Sequence, residues 1–276
     1  MGKISSTILR KHIALPSDHG SWVFLLSPLL IGLFIGGSWR VASFFLIIAA
    51  LAAFLLRQPL GILVKVYSGR RSRRDLPAAW FWVIVYSAIS LLAVIGLIIE
   101  GSAYLLMLTF PGIVVFSWHL YLISKRAERR QAGVKIVATG VLALTAPAAY
   151  WIGIGTYNPT GWLLWILIWA QSAASIVYAY LRLEQRQLTS VIDKQKRLEM
   201  GRRSLLYTTF NFITVLILSL LRITPQFLPI AYSVQWVETI WGTFMPAIGI
   251  KPTSIGLRQL AVSCVYTILF IITWHL

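Results

Sequence analysis

The stretch "AAWFWVIVYSAISLLAVIGLII", residues 78–99, decides the fold, because it continues for 22 residues without a charged side chain. A helix of about 20 apolar residues spans the hydrocarbon core of a bilayer, which is roughly 30 Å thick. Lipid offers no water to exposed backbone groups, so a helix is the expected structure. Residues 78–99 therefore predict a transmembrane helix.

Eight further stretches share this length and apolar character. They are residues 21–38, 41–56, 103–124, 134–152, 160–181, 204–221, 227–248 and 256–275. Residues 41–56 are short for a span, and residues 227–248 are interrupted by polar side chains and Pro246. Only 12% of the chain is charged, against about 25% in soluble domains. The prediction is an all-α, polytopic membrane protein with nine transmembrane helices.

The basic residues predict how this bundle is oriented. Lys and Arg are enriched in cytoplasmic segments of membrane proteins. With a cytoplasmic N-terminus, 23 of the 25 Lys and Arg residues fall on the cytoplasmic side, and only Arg40 and Arg222 lie opposite. We therefore expect a multi-pass protein of the cytoplasmic (inner) membrane of the cell, with its C-terminus outside. This asymmetry explains the net charge of +17, so membrane lipids are the expected partners and nucleic acid is not.

The predicted domain organisation is simple. Residues 1–20 are expected to form a cytoplasmic segment, and residues 21–276 a single transmembrane domain. Residues 1–20 lack a cleavage signal, and the following apolar run is long enough to span, so we expect a retained first helix. Proline lies mid-span in both the first and the fifth apolar stretch, and a long basic loop follows one helix later each time. This pattern suggests two halves, about 21–130 and 131–255, plus a last helix.

Cationic side chains stand at the ends of three apolar stretches. They are Arg57, Lys125 and Arg126, and Arg182 and Arg186. Cations at helix C-termini complement the helix dipole, which is one explanation for all five. The other is that they converge on a phosphate or carboxylate, which Arg binds through two parallel hydrogen bonds. These five residues are the candidates for ligand binding, whereas "GRRSRR" (69–74) is explained by topology and lipid headgroups.

Four other ionisable residues stand at unusual places. Asp18 and His19 lie where the chain enters the first apolar stretch, as a helix cap or as an acid/base pair. His119 lies six residues before Lys125, about 9 Å inside the cytoplasmic end of the fourth stretch, and suits either packing or a pocket. Asp18, His19 and His119 are the catalytic candidates. Glu238 is the only acid well within an apolar stretch, where a carboxylate indicates function unless it lies near the outer interface.

Three segments carry a resemblance to a known family. "LPSDHGSWVFLLSPLLIGL" (15–33), "RQP" (57–59) and "SRRD" (72–75) resemble the YwiC-like family of bacterial membrane proteins. The nine-helix plan also resembles the UbiA superfamily of intramembrane prenyltransferases. "KRAERRQAGVKIVATGVLALTAP" (125–147) is similar to the Lys-Arg pair at the end of that superfamily's fourth helix. The second resemblance implies a helical bundle with a cavity open to the cytoplasm.

The chain departs from the UbiA pattern where that superfamily binds metal. UbiA-type enzymes place Asp-rich motifs at the ends of the second and sixth helices, where Mg²⁺ holds a prenyl diphosphate. Here Asp75 stands alone in the first place, and Glu184 and Asp193 are nine residues apart in the second. Magnesium sites generally take one or two carboxylates plus substrate phosphates, and the neighbouring Arg residues oppose a dication. No metal and no cofactor are therefore expected.

Three functions remain open on the sequence. The first is a UbiA-like fold that binds an anionic lipid-like, isoprenoid or quinone ligand through a cytoplasm-facing basic cavity, without Mg²⁺-dependent prenyl transfer. The second is a prenyltransferase-like enzyme with a metal-free site, in which Asp18 with His19, or His119, serves as base. The third is a small transporter or a partner subunit of a membrane complex.

Overall fold

The computed structural model describes residues 11–16, 19–127, 132–190 and 192–276. Of the described residues 81% are helical, and none of them forms a strand. The predicted all-α class is therefore confirmed.

Eleven α-helices follow one another in the described part of the chain. In order they are α1 (Lys11–Ala14), α2 (Val23–Gly36), α3 (Val41–Tyr67), α4 (Leu76–Ile99), α5 (Thr109–Ser124), α6 (Ala132–Ala143), α7 (Thr145–Ile154), α8 (Thr160–Gln185), α9 (Lys194–Leu220), α10 (Pro229–Phe244) and α11 (Pro252–Trp274). Short 3₁₀ helices precede α2, α4 and α5 at His19–Ser21, Arg73–Asp75 and Ala103–Leu108. Every predicted apolar stretch contains a helix, and the fifth is divided between α6 and α7.

Seven helical segments are long and apolar enough to cross a bilayer, judged by length and composition within the described residues. They are Val41–Tyr67, Arg73–Ile99, Ala103–Ser124, Ala132–Ile154, Thr160–Gln185, Lys194–Leu220 and Pro252–Trp274. The apolar α2 has only 14 residues and α10 only 16, or about 21 and 24 Å at 1.5 Å per residue. A multi-pass membrane protein is supported, while nine crossings and the sidedness of the termini stay predictions.

Helix α3 continues past the predicted boundary at residue 56. It extends to Tyr67 with Pro59 inside it, although proline removes one backbone hydrogen bond from a helix. The residues after Pro59 are again apolar, and Ile62 and Val66 are buried in a cluster with residues at the start of α4. This packing carries the helix through the proline. Arg57 therefore lies within α3 and not at its end, which corrects the predicted position.

Helix α8 lies at the centre of the bundle and packs against α2, α6, α7, α9, α10 and α11. Helices α2 and α7 approach each other closely where Gly36 meets Gly153, and a Cβ on Gly153 would lie 2.6 Å from the Cα of Gly36. Small residues allow this close approach between helices in a membrane. Two cavities of the bundle are lined in part by α8.

Candidate functional site

A cavity of about 300 Å³ lies between α2, α3, α6, α8 and α11, and we call it the central cavity. Arg57 of α3 and Lys135 of α6 both line it. These two cations are 78 residues apart in the chain, so only the packing of the helices brings them to one cavity.

Arg57 is held beside the start of α2. Its Nη2 lies 3.5 Å from the Ser21 Oγ, at the limit for a hydrogen bond. Its guanidinium carbon lies 5.0 Å from the centre of the Phe54 ring, one turn earlier in α3. A guanidinium over an aromatic face is stabilised by the ring's electron density. The ring and the hydroxyl thus hold the Arg57 guanidinium at the wall of the cavity.

Lys135 is a cation of this cavity that the sequence analysis did not select. Its Nζ lies 5.3 Å from the centre of the Tyr180 ring on α8. Ala138, Thr139 and Leu142 line the same cavity, at the spacing that puts residues on one face of a helix. This spacing is the sequence signal that could have identified Lys135.

The rest of the central cavity combines polar and apolar walls. Gln259 of α11 donates from Nε2 to the Ser175 Oγ at 2.8 Å and to the Gln235 Oε1 at 2.6 Å. Apolar side chains such as Phe24 and Leu142 form much of the remaining wall. Along α6 the lining extends seven residues from Lys135, or about 10 Å. The cavity is therefore elongated along the bundle, with a cation at one end of its α6 wall.

The other predicted cations do not enter this cavity. Arg182 is only 4% exposed, and its Nη1 donates to the Gln185 Oε1 and to the carbonyl oxygens of Gly242 and Met245, at 2.9, 2.8 and 2.6 Å. Helix C-termini leave carbonyls without partners in the helix, and Arg182 satisfies two of them at the end of α10. Arg186 donates from Nε to the Ile250 carbonyl at 3.2 Å and lines a different cavity.

Lys125 and Arg126 are both exposed at the end of α5. The Lys125 Nζ lies 5.8 Å from the centre of the Tyr121 ring, and Arg126 turns the chain with a positive φ of 61°. The structure thus separates the five predicted cations. Arg57 lines the central cavity, Arg182 is buried at the end of α10, Arg186 lines a different cavity, and Lys125 and Arg126 lie on the surface. Their role in ligand binding stays a prediction.

Glu238 forms the centre of a buried network. This carboxylate is 9% exposed and accepts two hydrogen bonds from Arg258, from Nε at 2.7 Å and from Nη2 at 2.9 Å. The Tyr178 hydroxyl donates to the same carboxylate at 2.7 Å, and the Trp241 ring centre lies 3.7 Å from the Arg258 guanidinium carbon. The network joins α8, α10 and α11. Glu238 lies one turn before Gly242 of α10, whose carbonyl accepts hydrogen bonds from Arg182 and Gln185 at the end of α8. This network therefore links the three helices near the end of α8.

The catalytic candidates are only partly described. Asp18 lies outside the described residues, and of His19 only the backbone is described. His119 is partly buried on α5. In the described ranges, no group of three or more His, Cys, Asp or Glu side chains could hold a metal ion. A catalytic arrangement and the expected lack of a cofactor both stay predictions.

The apolar helices and the interior cavities define the class of protein, a helical multi-pass membrane protein. Residues 15–150, about half of the chain, match the family model described as YwiC-like protein. The match confirms the resemblance to YwiC-like proteins that the sequence predicted. It includes Arg57 and Lys135 but ends before Arg182. Comparison with curated proteins and with solved structures gave no significant match.

Proposed function

We propose that this protein binds an amphipathic ligand with an anionic head in the central cavity. The head, which belongs to a lipid-like, isoprenoid or quinone-type molecule, contacts Arg57 and Lys135. Its apolar tail lies along the apolar wall between the helices. The observation that supports this proposal is that two cations from distant helices line one largely apolar cavity.

The argument is electrostatic. Two cationic side chains line this cavity, and positive charge attracts an anionic group. Arg adds a planar fork that matches carboxylate or phosphate oxygens. The hydroxyl groups of Ser21 and Ser175 also line the cavity and supply hydrogen bonds to the polar part of a ligand.

The size of the cavity restricts the ligand. Pockets for small molecules generally measure about 300–1,000 Å³, so about 300 Å³ holds a head and a short part of a tail. The remainder of a long tail must leave the cavity between helices. This geometry fits a ligand taken from the bilayer.

The proposal does not include Mg²⁺-dependent prenyl transfer, although a UbiA-like arrangement of helices remains part of it. Asp75, at the first place where UbiA-type enzymes carry an Asp-rich motif, is 8% exposed and accepts a hydrogen bond from the Arg71 Nε at 2.6 Å. Asp193 accepts from the backbone N of Lys196 at 3.4 Å and caps α9. Both carboxylates are thus engaged in local structure. The anion is therefore proposed to bind directly to cationic side chains, without Mg²⁺ between carboxylate and ligand.

The test compares Arg57→Gln and Lys135→Gln with Lys125→Gln, a matched control whose cation is exposed at the end of α5. Each full-length protein is purified from membranes, and copurifying lipids and quinones are quantified by mass spectrometry. We expect one amphipathic anion to be reduced about tenfold in the first two variants, because each loses a charged hydrogen bond. The control should keep wild-type amounts.

Equal ligand content in all four proteins would overturn the proposal. Release of pyrophosphate from a prenyl diphosphate by the wild type would favour the enzymatic alternative. Solute flux into proteoliposomes, without a retained ligand, would favour the transporter.

A further inference from the structure

A second cavity, of about 620 Å³, lies between the end of α8, the second and third turns of α9 and the first turn of α6. We call it the α8–α9 cavity. Tyr180 and Leu183 line both this cavity and the central cavity and form the wall between them. The two cavities are therefore neighbours with different linings.

Ser204 supplies an unpaired hydroxyl at this cavity. The residue is 1% exposed and lines the α8–α9 cavity, yet its Oγ has no hydrogen-bond partner within the described structure. A buried helical Ser or Thr ordinarily donates to the carbonyl four residues earlier, as Thr208 does to Ser204 at 3.0 Å. Native proteins rarely bury a hydroxyl without a partner, so this one indicates a ligand group or a water.

The groups around this hydroxyl are mainly positive. Arg186 and Arg203 line the cavity, against the single carboxylate of Glu184 among the described lining residues. The hydrogen bond from the Arg186 Nε to the Ile250 carbonyl holds that side chain at the wall. Residues 132 and 133, the first two of the twelve-residue helix α6, complete this side. A helix N-terminus presents backbone N–H groups and a partial positive charge, which favour an anion.

We propose that the α8–α9 cavity is a binding site for a phosphate group. Two guanidinium groups, a helix N-terminus and a buried hydroxyl line this cavity, and all of them are hydrogen-bond donors. A phosphate has enough acceptor oxygens and charge for all of them. The cavity is larger than a phosphate ion, so the group belongs to a larger phosphorylated molecule, either a lipid headgroup or a soluble compound. This site goes beyond the proposed function, because none of its cations lines the central cavity.

The experiment uses the full-length protein in detergent, titrated with inorganic phosphate, and the same protein in nanodiscs that contain phosphatidic acid or only phosphatidylcholine. Arg203→Gln and Ser204→Ala are compared with Arg202→Gln. Arg202 is the neighbouring exposed residue of α9 and does not belong to the described lining. We expect Arg203→Gln and Ser204→Ala to weaken phosphate binding about tenfold, the value of one hydrogen bond to a charged group. Arg202→Gln should change it less than about twofold, as expected for a screened surface charge.

Stability without ligand supplies a second readout. Ser204→Ala removes a buried hydroxyl that has no partner, so the unliganded protein should be as stable as the wild type or more stable. A lower unfolding temperature for unliganded Ser204→Ala would overturn the proposal, since the hydroxyl would then support the fold. Equal weakening by Arg202→Gln and Arg203→Gln would also overturn it.

The two arms of the experiment identify the source of the phosphate. A variant-dependent difference with inorganic phosphate indicates a soluble phosphorylated compound, and a difference only with phosphatidic acid indicates a lipid headgroup. No difference in either arm rejects the site. The copurified amphipathic anion that tests the central-cavity proposal is measured separately, with Arg57→Gln and Lys135→Gln, so failure of this proposal and failure of the central-cavity proposal are distinguishable.

Discussion

Glu238 shows at the scale of one residue how the bundle accommodates a charge. A carboxylate in an apolar setting is costly unless it is paired and hydrogen-bonded. Arg258 provides both its charge and two hydrogen bonds, and Tyr178 provides a third. The Arg258 side chain is 48% exposed, whereas that of Glu238 is 10% exposed. The acid therefore depends on its partner more than the base does.

This asymmetry predicts unequal effects of removing each partner. Arg258→Gln leaves a buried charge with the Tyr178 hydrogen bond and should lower the unfolding free energy by about 1–3 kcal/mol. Glu238→Gln removes the charge while Arg258 can turn to solvent, so its cost should be smaller. The double variant should cost less than the two single costs added. Thermal unfolding in detergent measures all three, with the exposed Lys251→Gln as control, and additive costs would contradict the proposed pairing.

The close contact between α2 and α7 requires glycine at the point where the two helices meet. Gly36 and Gly153 meet backbone to backbone, with no room for a Cβ on Gly153. Elsewhere a helical glycine has more space: a Cβ on Gly112 of α5 would lie 3.7 Å from the Val141 Cγ1, an ordinary contact. The same substitution should therefore have different consequences in these two helices.

Gly153→Ala should separate α2 from α7 and lower the unfolding free energy by about 1–3 kcal/mol, the usual cost of overpacking. Gly112→Ala should be neutral or stabilise by up to about 1 kcal/mol, because alanine favours a helix over glycine. Fluorescence-detected size-exclusion chromatography after a temperature series measures both. Similar melting of the two variants would contradict the close contact of α2 and α7.

The distribution of charge along the whole molecule predicts its orientation in the membrane. The Lys and Arg residues fall almost entirely on one side of the predicted nine-crossing topology, as the positive-inside rule requires for a cytoplasmic side. The structure gives the helices but contains no membrane. Sidedness therefore needs a labelling experiment.

The single cysteine, Cys264, makes that experiment simple. After Cys264→Ser, a cysteine is introduced either at Thr189, after α8, or at Thr156, after α7, and both positions are exposed. In intact cells an impermeant maleimide should label Thr156→Cys but not Thr189→Cys. Permeabilised cells, in which both variants should react, are the control. The reverse pattern would contradict the predicted orientation.

The sequence by itself determined the all-α class, the position of a helix in every predicted apolar stretch and the resemblance to YwiC-like proteins. Each depends on local properties, namely apolar length, charge and short motifs, that can be recognised without knowing what packs against them. It also selected Arg57, a cation that lines the central cavity. It placed the end of α3 wrongly, because packing against α4 carries that helix through Pro59.

Only the tertiary structure decided which side chains share a cavity. Lys135 lines the same cavity as Arg57. Arg182 instead donates to carbonyl oxygens at the end of α10, and Lys125 lies on the surface. The unpaired hydroxyl of Ser204 and the pairing of Glu238 with Arg258 likewise become visible only when helices distant in sequence pack together. Apolar stretches give each helix its length, but close packing between helices sets their rotation and therefore the direction of each charged side chain.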